Sequence, residues 1–263
     1  MEPTIQEVIQ KIINAIPSSP FEDTVDTVKV GDPCQRVTRI VTTFLASYEV
    51  IQKAVELGAN LIITHEPIFY NHRDEVGWLA EDPVFRAKCL LLEEHDIVVW
   101  RFHDYWHAFR PDGINTGVVW ALGWEAYQDP VKSNLFNLTA TPLLDLALRL
   151  KDRLGVKTLR MIGDPAMVCQ KVGFLPGAWG GQQHILTLSQ EPIDTLIVGE
   201  IAEWETSEYV RDAQALGMKK ALIVTGHQPS EEPGMEYLVR WLKTLFPELS
   251  ITHIPTGSLF LWV

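Results

Sequence analysis

Asn60-Leu61-Ile62-Ile63-Thr64-His65-Glu66-Pro67 joins a short apolar, β-branched run to a histidine and a carboxylate. The run reads as a buried strand, and the polar pair at its end falls where open α/β sheets place their chemistry. Two further segments repeat the arrangement. His103-Asp104-Tyr105-Trp106-His107 follows the strand pattern Ile97 to Trp100, and Gly226-His227-Gln228-Pro229-Ser230-Glu231 follows Lys220 to Thr225. His103 and His107 share the four-residue spacing of His227 and Glu231.

Working outward, Thr4 to Ala15 spaces Ile5, Val8, Ile9, Ile12 and Ile13 as an amphipathic helix that ends before Pro17. Val37 to Thr43 reads as a strand, Ser47 caps a helix closed by Gly58, and helices are expected around Val84 to Glu94 and Gly113 to Leu122. The second half repeats the plan loosely, with strands at Val172 to Leu175 and Thr195 to Val198, a helix from Glu205 to Leu216, another from Met235 to Leu245, and a closing strand near Ser250 to Ile254. This βαβ alternation predicts an α/β fold of two similar lobes, each a mostly parallel sheet flanked by helices, with a metal site between the lobes. The expected division is an N-terminal lobe over 1–124, a connector over 125–157 that carries the helical pattern Leu143 to Leu154, and a C-terminal lobe over 158–263.

A chain of 263 residues with 46% hydrophobic content can bury a substantial core. Its longest apolar runs are strand-sized, far below the ~18 residues of a membrane span, and no basic-then-apolar leader opens it, so a soluble cytoplasmic protein is expected. The formal charge of -12 and the lack of a Lys/Arg cluster argue against a nucleic-acid partner. Cys34, Cys89 and Cys169 are odd in number and far apart, which fits reduced thiols; Cys89 reads as core packing.

A mixture of imidazole nitrogen and carboxylate suits zinc, iron, manganese or cobalt better than calcium. His72 and Asp74 read as a solvated loop after the first motif, with substrate contact as the second reading, and His95, His184 and His253 lack a matching motif. Gly177 to Gly181 reads as a turn first and a phosphate cradle second, having neither a P-loop lysine nor a dinucleotide signature. Trp100, Trp106, Trp120 and Trp124 suit a pocket wall for a planar ring, core packing or a subunit interface equally well.

The motifs together resemble a known family. His65-Glu66-Pro67-Ile68-Phe69 is similar to the His-His-Pro-Leu-Phe segment of the Nif-three-like dinuclear-metal proteins, also called GTP cyclohydrolase type 2 homologues. His103 to Ala108 resembles their His-Thr-x-Leu-Asp-Ala segment, Gly226 to Glu231 their Gly-His-x-x-x-Glu segment, and Gly199-Glu200-Ile201 their Gly-Glu-Ile segment, with Glu203 and Trp204 where paired histidines are common. The resemblance implies metal ligands at His65, Glu66, His107, His227 and Glu231, holding two divalent ions (zinc, iron or manganese) per chain. The family's second histidine is Glu66 here and its inter-metal aspartate is His107, so three histidines and two carboxylates are kept. Imidazole binds one metal where a carboxylate bridges two, which shifts the expected bridge to Glu66 or Glu231. Asp104 stands in reserve, and His103 orients a ligand or binds metal itself.

The expected activity is metal-dependent hydrolysis of a small molecule: a nucleotide, a cyclic amidine or a phosphate ester. Glu231 or Glu200 would accept a proton, and His103 would steady the attacking water. The alternative is a non-catalytic metal-binding regulatory or scaffold protein. The resemblance also implies a homo-hexamer.

Overall fold

The computed structural model describes residues 2–17 and 20–261. In chain order the first elements are α1 (Ile5–Asn14), β1 (Val28–Val30), β2 (Ile40–Thr43), α2 (Tyr48–Glu56), β3 (Leu61–Thr64), α3 (Pro83–Glu94), β4 (Val98–Arg101), α4 (Asp104–Ala108) and α5 (Gly113–Leu122). They are followed by β5 (Leu135–Pro142), α6 (Leu143–Arg153), β6 (Arg160–Ile162), β7 (Val168–Leu175), α7 (Gly181–Gln190) and β8 (Thr195–Val198). The chain continues with α8 (Glu208–Ala215), β9 (Ala221–Val224), α9 (His227–Leu245) and β10 (Ile251–His253). No helix among the described residues is long and apolar enough to cross a membrane.

Two compact units result: residues up to Thr116 together with Gly234–Gly257, and Gly117–Pro233 with the segment from Ser258. The sheet of the first runs β1-β4-β3-β2-β10, parallel except for β1. The sheet of the second runs β5-β7-β8-β9-β6, with β7, β8 and β9 parallel and antiparallel strands at both edges. The mixed α/β architecture with helix-flanked sheets is therefore as the sequence predicts.

The division of the chain is different from the expected one. The 125–157 stretch supplies β5 and α6 to the second unit: β5 pairs with β7, and Leu143, Leu146 and Leu150 join its core. The closing strand β10 instead pairs with β2 in the first sheet, and Met235, Leu238 and Leu242 of α9 join the first unit's core. An apolar helix face and a parallel edge strand are satisfied by any sheet with a complementary face, which sequence position does not specify.

The short parallel strands owe their stability to both faces being covered. In β3 and β4, Leu61, Ile63, Val98 and Trp100 pack with α1 and α9, while Ile62 and Val99 turn to the opposite side with Val50 and Ile51 of α2 and Leu92 of α3. The second sheet alternates likewise, Phe174, Ile197 and Ile223 packing with α6 and Leu196, Val198 and Leu222 with Leu188 and Val210. Burial of each large aliphatic contributes about 1.5–3 kcal/mol, against roughly 1 kcal/mol net for a ladder hydrogen bond, so side-chain burial decides these strands. Trp100 and Trp106 are wholly buried in this packing, which settles their role as core. Local signals set the helix starts: Thr4 and Glu7 form a reciprocal capping box on α1, Ser47 caps α2, and Asp82 accepts from Val84 and Phe85 at the start of α3.

Lys88 of α3 is buried, donating from Nζ to the Ile68 carbonyl at 2.8 Å and lying over the rings of Phe69 and Tyr70. Burial pushes its pKa down to about 8. Below that value the lysine is charged in both folded and unfolded chains, and its contribution does not vary with pH. Between about pH 8 and its ordinary ~10.4 the unfolded chain binds the extra proton, so stability from this group rises with pH. Chemical denaturation of wild type and Lys88→Met across that window should show the difference shifting in favour of wild type as pH rises; a flat difference would rule out the perturbed lysine.

Candidate metal centre

Register fixes where the polar side chains emerge in the first unit. Thr43 pairs with Thr64, and Thr64 with Arg101, so β2, β3 and β4 end level. His65 follows immediately; its amide donates to the Thr43 and Phe44 carbonyls, and the Glu66 amide donates to Phe44 O at 2.8 Å. After β4 the chain turns into α4, whose first amides are gathered by one buried carboxylate: Asp26 Oδ1 accepts from His103 N at 2.8 Å and Asp104 N at 3.0 Å, and Oδ2 from Tyr105 N at 2.8 Å. Burial pushes the Asp26 carboxyl up, opposed by those three amides.

His65, His103 and His107 come together, each offering a ligand nitrogen within 4.8 Å of the others. The ring centroids of His65 and His103 are 4.6 Å apart, and those of His103 and His107 are 4.8 Å apart. Every Nδ1 faces an acceptor: Phe102 O for His65 at 3.2 Å, Asp104 Oδ1 for His103 at 2.8 Å, and Asp112 Oδ2 for His107 at 2.9 Å. Carbonyls and carboxylates only accept, so Nδ1 carries the proton and Nε2 of the neutral ring is the lone-pair nitrogen. That acceptor–imidazole pattern is how proteins orient metal-ligating histidines. Burial holds His65 well below its ordinary pKa, reinforced by His103 and His107, and so keeps it in the neutral form a metal requires. His103 in turn holds Asp104 far below the usual carboxylate range. The nitrogen-rich set fits a borderline transition ion and does not fit calcium.

Glu66 lies beside this set, with Oε1 3.9 Å from His103 Nε2 and Oε2 3.7 Å from Nη2 of Arg101. Asp74 departs from the sequence reading. Its side chain is 3% exposed, pairs with Lys29 at 3.5 Å and lies 3.9 Å from Arg101, because the loop folds it back to accept from Phe69 N. His72 is exposed, as read.

In the second unit β7, β8 and β9 also end level, at Leu175, Val198 and Val224. His227 Nε2 meets Glu231 Oε2 at 3.0 Å and its Nδ1 meets Glu200 Oε2 at 3.3 Å. A neutral imidazole has one N–H and so satisfies one carboxylate; a cation in place of a second proton meets the other, which suits these groups to metal. Gly177, at φ 76°, packs against them, and a Cβ there would stand 2.1 Å from Glu231 Oε1. The 177–181 loop is thus a close-packed turn. The phosphate-cradle alternative meets a carboxylate, since Glu205 Oε2 already accepts from the Gly181 amide at 3.0 Å. Glu203 pairs with Arg160 at 2.6 Å, and Trp204 is exposed. Burial pushes the Cys89 thiol up, against a nucleophilic role.

The four-residue spacings are single helical turns. His103 stands at the N-cap position of α4, without a side-chain capping bond, one turn before His107, and α9 starts at His227 itself rather than at Met235. Pro229 lies in the first turn of α9, where its missing N–H is no loss, and Pro233 interrupts the interior pattern, which hides the helix in sequence. Sequence reading missed Asp26, Arg101 and Asp112. Of these only Asp112 had a local signal, as the capping residue before α5, where it accepts from Asn115 N at 2.9 Å.

Asp26→Ala strands three amides at the start of α4 and is expected to destabilise the protein by roughly 2–3 kcal/mol while weakening Co(II) binding; Asp26→Asn, which keeps an acceptor, should do less. Unchanged melting and unchanged cobalt titration in Asp26→Ala would show that this carboxylate does not position the histidines.

Comparison with known proteins agrees with the fold and the motifs. A Clostridium perfringens protein named GTP cyclohydrolase 1 type 2 homolog is 28% identical over 214 residues, 78% of this chain and 77% of its own length. Its namesake from Escherichia coli K12 is 28% identical over 236 residues, 84% of this chain and 85% of its own length. The crystal structure of a Bacillus cereus protein related to NIF3 covers 100% of both chains at a TM-score of 0.79 and 15% identity, a likeness of fold. With the family model matching residues 3–257, the chain belongs to the Duf34/NIF3 (NGG1p interacting factor 3) family.

Proposed function

We propose that the protein is a divalent-metal-dependent hydrolase that binds one ion at His65, His103 and His107 and a second at His227 and Glu231. The observation that carries this reading is the convergence of three imidazoles whose Nδ1 atoms are all committed to acceptors. In this reading His103 is a ligand, one of the roles its sequence position leaves open, and not the water-steadying group. When bound, divalent ions supply Lewis acidity and a nucleophile at neutral pH by acidifying water. The chain's own part is to accept and hold protons. Glu231 is 4% exposed and held by His227, and Glu200 contacts the other ring nitrogen, so the pair offers a carboxylate base on either side of one imidazole. The substrate class is a nucleotide or other cyclic amidine, supported by the names of the two bacterial relatives, with phosphate esters open to the same chemistry.

Protein purified without added metal or an affinity tag should contain about two transition-metal ions per chain, with at least one lost in each of His65→Ala and His227→Ala. Turnover of nucleotides or phosphate esters should vanish on chelation and return with one preferred ion. Absence of stoichiometric metal after dialysis against zinc, iron or manganese would overturn the reading; metal binding without turnover would replace the hydrolase with a metal-binding regulatory protein.

A further inference from the structure

Arg101 ends β4 with no exposed surface, an unusual place for a guanidinium. Its Nε donates to the His65 carbonyl at 3.1 Å, and Nη1 donates to the His72 carbonyl and lies 3.9 Å from Asp74. Nη2 has no hydrogen-bond partner among the described residues and makes its ion pair with Glu66 Oε2 at 3.7 Å. The fork therefore grips both the backbone of the first ligand and the side chain of its neighbour. With Oε2 turned to the guanidinium, the other oxygen, Oε1, is the one placed toward His103.

We propose that Arg101 is a positioning residue for the metal centre, holding Glu66 so that it offers one oxygen, Oε1, to the ion carried by His65, His103 and His107. Held this way, Glu66 would offer an ion one oxygen beside the imidazoles, in place of the bridging role expected for it from sequence. The arrangement also explains why the positive charge is tolerable so close to a cation site: Glu66 and Asp74 offset Arg101 and Lys29. This inference rests on the metal-binding reading above.

The sign of one measurement separates the possible roles. If Arg101 acted only through its charge, removing it would relieve repulsion and tighten metal binding; if it positions Glu66, removing it weakens binding. Co(II) titration of apo-protein, followed by the visible d–d absorption of the bound ion, reads both affinity and ligand set. Arg101→Met is expected to lower Co(II) affinity by roughly tenfold to a hundredfold, the usual cost of losing a group that orients a ligand, and to change the band shape. Arg101→Lys keeps the charge but not the fork and should not restore either. Glu66→Gln should give the same change, and adding Arg101→Met to it should give little more, since both remove one interaction. Tighter or unchanged cobalt binding in Arg101→Met, or full additivity with Glu66→Gln, overturns the proposal. Should Arg101→Met fail to fold, Arg101→Lys and Glu66→Gln decide alone, a native spectrum and affinity in either one overturning it. Wild type that binds no Co(II) fails the metal reading itself, and the positioning role falls with it.

Discussion

The level ending of the parallel strands is the constraint from which the functional residues take their places. Thr43, Thr64 and Arg101 lie side by side in the first sheet, so whatever follows each strand is delivered to one rim. Leu175, Val198 and Val224 do the same in the second. Because both faces of these strands are buried, the rim is the place where polar side chains can leave the core. A one-residue slip in β3 would exchange the faces of Leu61 and Ile62 and displace His65 together, which couples core packing to the place of the histidine.

Polar groups gathered at a half-buried rim have to be paired, and much of the local structure serves that need. Asp26 supplies acceptors to the three amides that open α4; Asp104 accepts from Thr24 Oγ1, Val25 N and His103; Asp112 caps α5 while holding His107. Lys29, Asp74, Arg101 and Glu66 form an alternating set of buried or half-buried charges in which each sign meets its opposite. Removing one member of such a set leaves a neighbour uncompensated, and that penalty exceeds the worth of the contact itself. The chain is acidic overall, yet a buried guanidinium lies against the carboxylate beside the three imidazoles.

The parts of this arrangement legible in sequence are those set by local pattern. The β-branched runs, the Ser47 cap, Gly58 and Gly123 with positive φ at helix ends, and the histidines placed just after strands all follow from spacing and residue type. What escaped reading depends on partners far along the chain. Asp26 acts on residues about eighty positions away, and nothing around it distinguishes it from a surface acid. Asp74 sits in a polar loop and is buried only because Lys29 and the Phe69 amide receive it. The start of α9 was hidden by Pro229 and Pro233, although the His227 and Glu231 spacing already had the period of a helical turn. The placement of β10 beside β2 follows from which edge was open, a property of the folded sheet.

The two groups of side chains differ in what a cation would have to displace. In the first unit the protons of three rings are already committed to Phe102, Asp104 and Asp112, so the tautomers are fixed before any ion arrives. In the second, His227 is shared by two carboxylates, and one ring–carboxylate contact has to open for a ligand nitrogen to be presented. Preorganised donors bind without that reorganisation. The close packing of Gly177 on Glu231 limits how far the second group can move, since even a methyl would collide with the carboxylate. Of the three side chains Glu200 is the most exposed and Glu231 the most buried, so the His227–Glu200 contact is the one with room to open.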